Sequence, residues 1–237
     1  MDNEIRKIIE LATVSIASPE KKGLGVIVPG VIVPGEFVLT AAHGIRDLPE
    51  MCKGYAVLGK PYFEKVKTAD KFLHKYERYT DQGIFVPVEE ELDTFELALN
   101  AIEPFSDIAV LSLKDYTQVF GQDPAELIFD MEKLWPTTVL LDVVAMDNPF
   151  DVHAYTHLGT WVDGKATLRD PNGSMMLSFN EPILPGTSGG PVVNGDGQLV
   201  CLVSNIFNDP GQTSSTLLSL GLLGWIRNRI ASWQRDM

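Results

Sequence analysis

The chain has 237 residues, 45% of them hydrophobic, with 20 glycines and 15 prolines. That is ordinary usage for a globular protein with a sizeable core, and it excludes fibrous and disordered classes. A net charge of −13 repels phosphate backbones and anionic lipid surfaces, so neither nucleic acid nor membrane is an expected partner.

The opening stretch, MDNEIRKIIELATVSIAS, has no apolar run behind a basic start and does not read as a signal peptide. There are two cysteines, Cys52 and Cys201. With no signal and so few cysteines, a reducing, cytoplasmic setting is expected. Short apolar runs broken by Gly, Pro, Asn and Asp then dominate, which is the pattern of an all-β fold. The early runs are Thr13 to Ala17, Gly25 to Val33, Glu36 to Ala41, Tyr55 to Leu58, Gly83 to Val88 and Ile108 to Leu113. The acidic run Glu89 to Asp93 reads as a solvated loop or face. Residues 114–136, with a helix-like stretch from Pro124 to Leu134, read as a connection between two halves.

A second set of runs follows: Thr138 to Ala145, Val152 to Thr160, Ala166 to Arg169, Met175 to Phe179, Pro191 to Val193 and Leu199 to Ser204. Asp170-Pro171-Asn172-Gly173 and Asn194-Gly195-Asp196-Gly197 are strong hairpin turns, since Asn and Gly tolerate positive φ. From Leu217 the apolar spacing changes to three and four residues, so a short strand end runs into an amphipathic helix, with Trp225 and Ile226 anchoring it to the second half.

Three segments carry chemistry. In Pro185-Gly186-Thr187-Ser188-Gly189-Gly190-Pro191 a hydroxyl sits among glycines, whose backbone freedom allows a sharp turn with amides aimed into one concavity. Acyl transfer needs such preset donors for its oxyanion. In Val38-Leu39-Thr40-Ala41-Ala42-His43-Gly44 an apolar strand ends in small residues and a histidine. A serine is a weak nucleophile without an adjacent base, and imidazole can take and return a proton near neutrality. In Phe105-Ser106-Asp107-Ile108-Ala109-Val110-Leu111 a carboxylate heads an apolar strand, where it can orient an imidazole.

The order His43, Asp107, Ser188, each in its own local context, resembles the chymotrypsin-like (trypsin-fold) serine peptidases. The resemblance rests on TAAH, DIAVL and GTSGGP and spans roughly residues 11–232. It implies an all-β fold of two antiparallel six-stranded β-barrels, chymotrypsin-like, with a C-terminal α-helix and the active site between the barrels. The expected layout is one peptidase domain over 1–237: a first barrel over 11–113, the connection, a second barrel over 137–216, and a strand end and helix over 217–233. By the same resemblance His43, Asp107 and Ser188 form the catalytic triad, and the backbone N–H groups of Gly186 and Ser188 form the oxyanion hole. Pro182 and Ile183 would floor the specificity pocket. Ser204, Asn205 and Ile206 would lie on the strand that pairs with substrate, Ser204 bordering the Asp–His pair.

Three departures shape the expectation. Thr187 stands where digestive members have an Asp that pairs with a newly cut N-terminal amine, so activation by N-terminal insertion is not expected. In this the chain looks closer to bacterial stress-protease or viral branches. The cysteine pair that usually flanks the histidine is absent. No acid lies at the predicted pocket floor, which suggests a small or apolar residue before the scissile bond, and Ile206 could narrow the pocket. His153 and His157, at even spacing on a run read as one strand, would share a face as a solvated or hydrogen-bonded pair, the alternative being that one of them sits near the substrate pocket. Cys201 reads as a small buried hydrophobe.

The resulting expectation is a serine endopeptidase of narrow specificity, acting on a protein or peptide substrate, with one dedicated partner protein as a narrower option. No cofactor or metal is called for. The alternative is a protease-fold module that binds or scaffolds without catalysis.

Overall fold

The computed structural model describes residues 1–17, 22–29, 36–45, 54–58, 64–68, 71–79, 85–91, 95–103, 105–113, 148–170, 173–206 and 211–236. The chain enters through a helix, α1 (Asn3–Ala12), for which the sequence reading made no provision. Asp2 caps it by accepting a hydrogen bond from the Glu4 amide at 2.7 Å. Ile5, Ile9 and Ala12 recur at helical spacing on its inner face. Thr13, in extended conformation, ends it.

Six strands then close into a barrel: β1 (Thr13–Ala17), β2 (Lys22–Pro29), β3 (Glu36–Ala41), β4 (Gly54–Leu58), β8 (Phe95–Glu103) and β9 (Ile108–Leu113). Their order is β1-β2-β3-β9-β8-β4, and β1 pairs with both β2 and β4, so no edge is left open. Between β4 and β8 the chain makes a separate antiparallel sheet of β5 (Glu64–Thr68), β6 (Lys71–Tyr79) and β7 (Phe85–Glu91). The acidic run expected to be a solvated loop or face is strand as far as Glu91. Glu89 stands opposite Lys75, and Lys75 opposite Glu64, so charge alternates in sign across the sheet. The expected connection 114–136, its helix-like stretch and the run Thr138 to Ala145 lie outside the described residues.

The second half is a seven-stranded sheet in the order β14-β13-β10-β11-β12-β16-β15. Its strands are β10 (Phe150–Tyr155), β11 (Trp161–Leu168), β12 (Ser174–Phe179), β13 (Pro191–Asn194), β14 (Leu199–Leu202), β15 (Asn205–Ile206) and β16 (Gln212–Thr216). Where a six-stranded barrel was expected, the described residues form a curled sheet. Its two end strands, β14 and β15, are joined by only Val203 and Ser204. Two residues cannot span a flat sheet of this width, so the sheet must curl until its ends meet.

The two α-helices among the described residues link the halves. The terminal helix α2 (Leu220–Asp236) was expected to anchor on the second half. Its Leu222, Leu223, Ile226 and Ile230 instead share one core with Phe37, Val38, Leu39, Ile108 and Leu111 of the barrel, and with Val193, Leu199 and Leu202 of the sheet. Trp233 meets Phe37 edge to face at 6.0 Å. In the opposite sense α1, which leads into the barrel, reaches the sheet: the Trp161 indole N–H donates to Glu10 Oε1 at 2.7 Å. Burial thus couples the two halves.

Candidate active site

His43 leaves the end of β3 on a single 3₁₀ turn, Ala42–Gly44. Ala41 and Ala42 are buried, which leaves no room for larger side chains beneath the imidazole. The Ala42 amide donates to the Asp107 carbonyl at 2.9 Å, which ties this turn to the start of β9.

Asp107 sits at φ 55°, in the left-handed region that Asp tolerates better than most residues. The preceding amide, that of Ser106, donates to Glu103 Oε2 at 2.6 Å and holds the turn. This backbone turns both carboxylate oxygens toward His43. Oδ1 accepts the His43 amide at 2.7 Å, and Oδ2 lies 2.7 Å from Nδ1. An ionised carboxylate only accepts, so Nδ1 carries the proton of this bond, and in the neutral form of the ring it is Nε2 that holds the lone pair. Ser204 Oγ adds a third bond, donating to Asp107 Oδ2 at 2.5 Å. Burial alone would push the Asp107 carboxyl up. The bonds from the His43 ring, the Ser204 hydroxyl and the His43 amide outweigh it and hold the group below the ordinary carboxylate value. The pair lies at a surface cleft, with the imidazole side chain 40% exposed and the carboxylate 15%.

Ser188 lies on a loop bent by two left-handed glycines, Gly186 at φ 104° and Gly189 at φ 84°. The loop is stitched to the seam of the curled sheet. The Gly189 amide donates to Val203 O at 2.7 Å, and Val203 N donates to Gly190 O at 2.8 Å. The Gly190 amide donates to Thr187 O at 2.8 Å and the Thr187 amide to Leu184 O at 3.2 Å. Among the described residues, no backbone carbonyl accepts a bond from the amides of Gly186 or Ser188. Ser188 Oγ donates to the Ser204 carbonyl at 3.4 Å, long for an O–H···O bond. Ser204 therefore touches Asp107 through its hydroxyl and Ser188 through its carbonyl, and so links residues from both halves.

Of the other expected site residues, Pro182 is exposed, while Ile183 is buried in the core of the second sheet with Val152, Leu177 and Val200. Asn205 and Ile206 form β15, paired on one side with Ser214 and Thr213 of β16. On its other side β15 has no strand partner among the described residues. His153 and His157 do not share a strand face, because β10 ends at Tyr155. His153 bonds Asp163 near the surface at 2.6 Å. His157 is turned inward, with Nδ1 2.8 Å from Thr187 Oγ1. Gly23 of β2 was not singled out in the sequence, although its backbone lies against that of Ser188. A glycine two residues ahead of the apolar run from Gly25 was the available signal.

A family model described as a trypsin-like peptidase domain matches residues 25–202. Among solved structures, a serine-to-alanine mutant of Rv3671c from M. tuberculosis H37Rv, in its inactive form, is similar with a TM-score of 0.52 at 15% identity, covering 98% of this chain and 93% of that one. The Rv3671c protease, also in an inactive form, is similar with a TM-score of 0.54 at 15% identity, covering 96% of this chain and 93% of that one. At such identity the likeness is one of fold. No curated protein matches the chain.

Proposed function

Because this chain belongs to the trypsin-like peptidase domain family, we propose that it is a serine endopeptidase that hydrolyses peptide bonds through an acyl-enzyme on Ser188. The observation that carries the reading is the two-point grip of Asp107 on His43, with Ser204 reaching from the same carboxylate to the Ser188 hydroxyl. The hydroxyl's long bond to Ser204 is easily given up.

In the proposed reaction Ser188 Oγ attacks the peptide carbonyl while His43 Nε2 takes its proton. The tetrahedral oxyanion is held by the amides of Gly186 and Ser188, which the loop leaves uncommitted. Nε2 then delivers the proton to the leaving amine, and the C–N bond breaks. Water, deprotonated by Nε2, attacks the ester and returns Ser188 to its starting state. Asp107 stays ionised throughout and stabilises the imidazolium. The free edge of β15 would take the substrate backbone as an added strand.

The substrate is a protein or peptide, cut with narrow specificity and without activation by N-terminal insertion, since the neutral Thr187 has a side-chain partner already in place. A single dedicated partner protein is the narrower form of this proposal. Rapid digestion of denatured casein by the purified chain would count against it. A cytoplasmic setting accords with Cys201 as a free, buried thiol. Among the described residues no helix is long and apolar enough to cross a membrane.

The test is fluorophosphonate labelling and peptide-library cleavage by the wild type and by Ser188→Ala. The variant is expected to lose about 10⁶-fold in kcat and all labelling. A folded wild type that neither labels nor cleaves would instead be a binding or scaffolding module.

A further inference from the structure

We propose that His157 is a positioning residue that holds the oxyanion-binding side of the Ser188 loop in its working shape; the proposal rests on the endopeptidase reading above. An oxyanion hole works only if its donors are fixed before the charge develops. The loop has firm anchors on one side of Ser188, where Gly189 and Gly190 exchange backbone bonds with Val203 at 2.7 and 2.8 Å. On the other side, where Gly186 supplies its amide, the backbone bond is the longer one from Thr187 to Leu184, at 3.2 Å.

His157 supplies what that side lacks. Its Nδ1 meets Thr187 Oγ1 at 2.8 Å, and both side chains are shielded from water, with His157 6% and Thr187 0% exposed. A dry hydrogen bond is costly to break, because its partners are stranded without solvent. The imidazole also lies beside Gly186: a Cβ built on that glycine would be in ordinary van der Waals contact with Cγ, Cδ2 and Nδ1 of the ring, at 3.5, 3.6 and 3.7 Å.

The support is itself braced. His157 sits on a turn closed by Thr156 N–H to Thr160 O at 2.9 Å and by the paired hydroxyls of the same residues at 2.8 Å. The next residue, Trp161, is held by Glu10, and the Arg6 guanidinium lies 5.7 Å over its ring. A line of contacts thus runs from α1 to the amide of Gly186.

The experiment compares His157→Leu with His157→Asn, whose side-chain amide can still meet Thr187. His157→Leu is expected to lower kcat about 10- to 100-fold, less than the loss of an oxyanion donor, with KM changed less than about twofold. Affinity for a peptide boronate, which forms the tetrahedral adduct, should fall in step. Asn should restore most of both. Thr187→Val should match Leu and add little to it in the double variant, and it carries the test if His157→Leu fails to fold. Amide exchange at Gly186 and Ser188, measured in a Ser188→Ala background, should speed up in His157→Leu. A folded Leu variant with unchanged kcat, boronate affinity and exchange overturns the proposal, as does an Asn variant no better than Leu. The exchange readout needs no activity. Failure of the wild type to label would sink the endopeptidase reading, while faster exchange would still support the anchor and unchanged exchange would reject it.

Discussion

Gly23 on β2 lies so close to Ser188 that a Cβ there would come within 2.9 Å of the Ser188 carbonyl oxygen. The barrel's wall and the Ser188 loop thus approach each other backbone to backbone. Gly23→Ala forces one of them to move, at about 1–3 kcal/mol for overpacking. Activity should fall more than stability does, because a displacement of about 1 Å can cost about 10²-fold in rate. Parallel thermal melts and kcat/KM measurements check this. A variant with wild-type kcat/KM would show that the contact does not position Ser188.

Asp107→Asn keeps the shape of the side chain but puts a donor where His43 Nδ1 needs an acceptor, so kcat should drop about 10⁴-fold, as in the general triad template. Stability should respond to pH in a defined direction. The folded carboxyl is held below its ordinary 3.8, so the unfolded chain binds the proton more readily. Its contribution is complete above pH 3.8 and is lost as pH falls through the lower, folded value. The melting-temperature gap between wild type and Asp107→Asn should hold from neutrality to about that pH and close below it. A gap that closes near pH 6 would contradict the assignment.

The bond from Trp161 to Glu10 joins α1 to the second sheet. Glu10→Gln replaces a charge-assisted bond by a neutral one, and Trp161→Phe removes the donor. Each should lower stability by about 1–3 kcal/mol without abolishing the fold, and together they should cost less than their sum. Urea midpoints of the two single variants and the double variant provide the measurement.

Cys201 is fully buried on β14. Burial pushes its thiol up to about 12, against a smaller lowering by the Ser215 hydroxyl. At neutral pH it carries almost no thiolate, so iodoacetamide should leave it unmodified in the native protein and modify it in urea. Peptide mapping after alkylation reads this directly. Labelling of Cys201 under native conditions would mean that the seam between β13 and β14 opens readily.

Much of this molecule was legible from local chemistry. The runs Thr13 to Ala17, Glu36 to Ala41 and Ile108 to Leu113 coincide with β1, β3 and β9, because Gly, Pro and Asp punctuation sets strand ends by sterics that need no distant partner. The stretch holding α1 carried helical spacing in Ile5, Ile9 and Ala12, but its short apolar run was weighed only as a leader. Charge in the acidic run of β7 predicts solvent but does not choose between a loop and a strand, and Glu89 stands in register with Lys75 of β6.

What the sequence determined by itself is which side chains could do acyl-transfer chemistry, since a nucleophile, a base and an acid are recognisable by residue type and neighbours. The tertiary structure alone decided how they are held. Ser204 reaches both Asp107 and Ser188 because the sheet curls until β14 and β15 meet. His157 turns under Thr187 because β10 stops at Tyr155. Both contacts join residues distant along the chain, and such contacts depend on how whole sheets pack and close, which no local pattern of residues encodes.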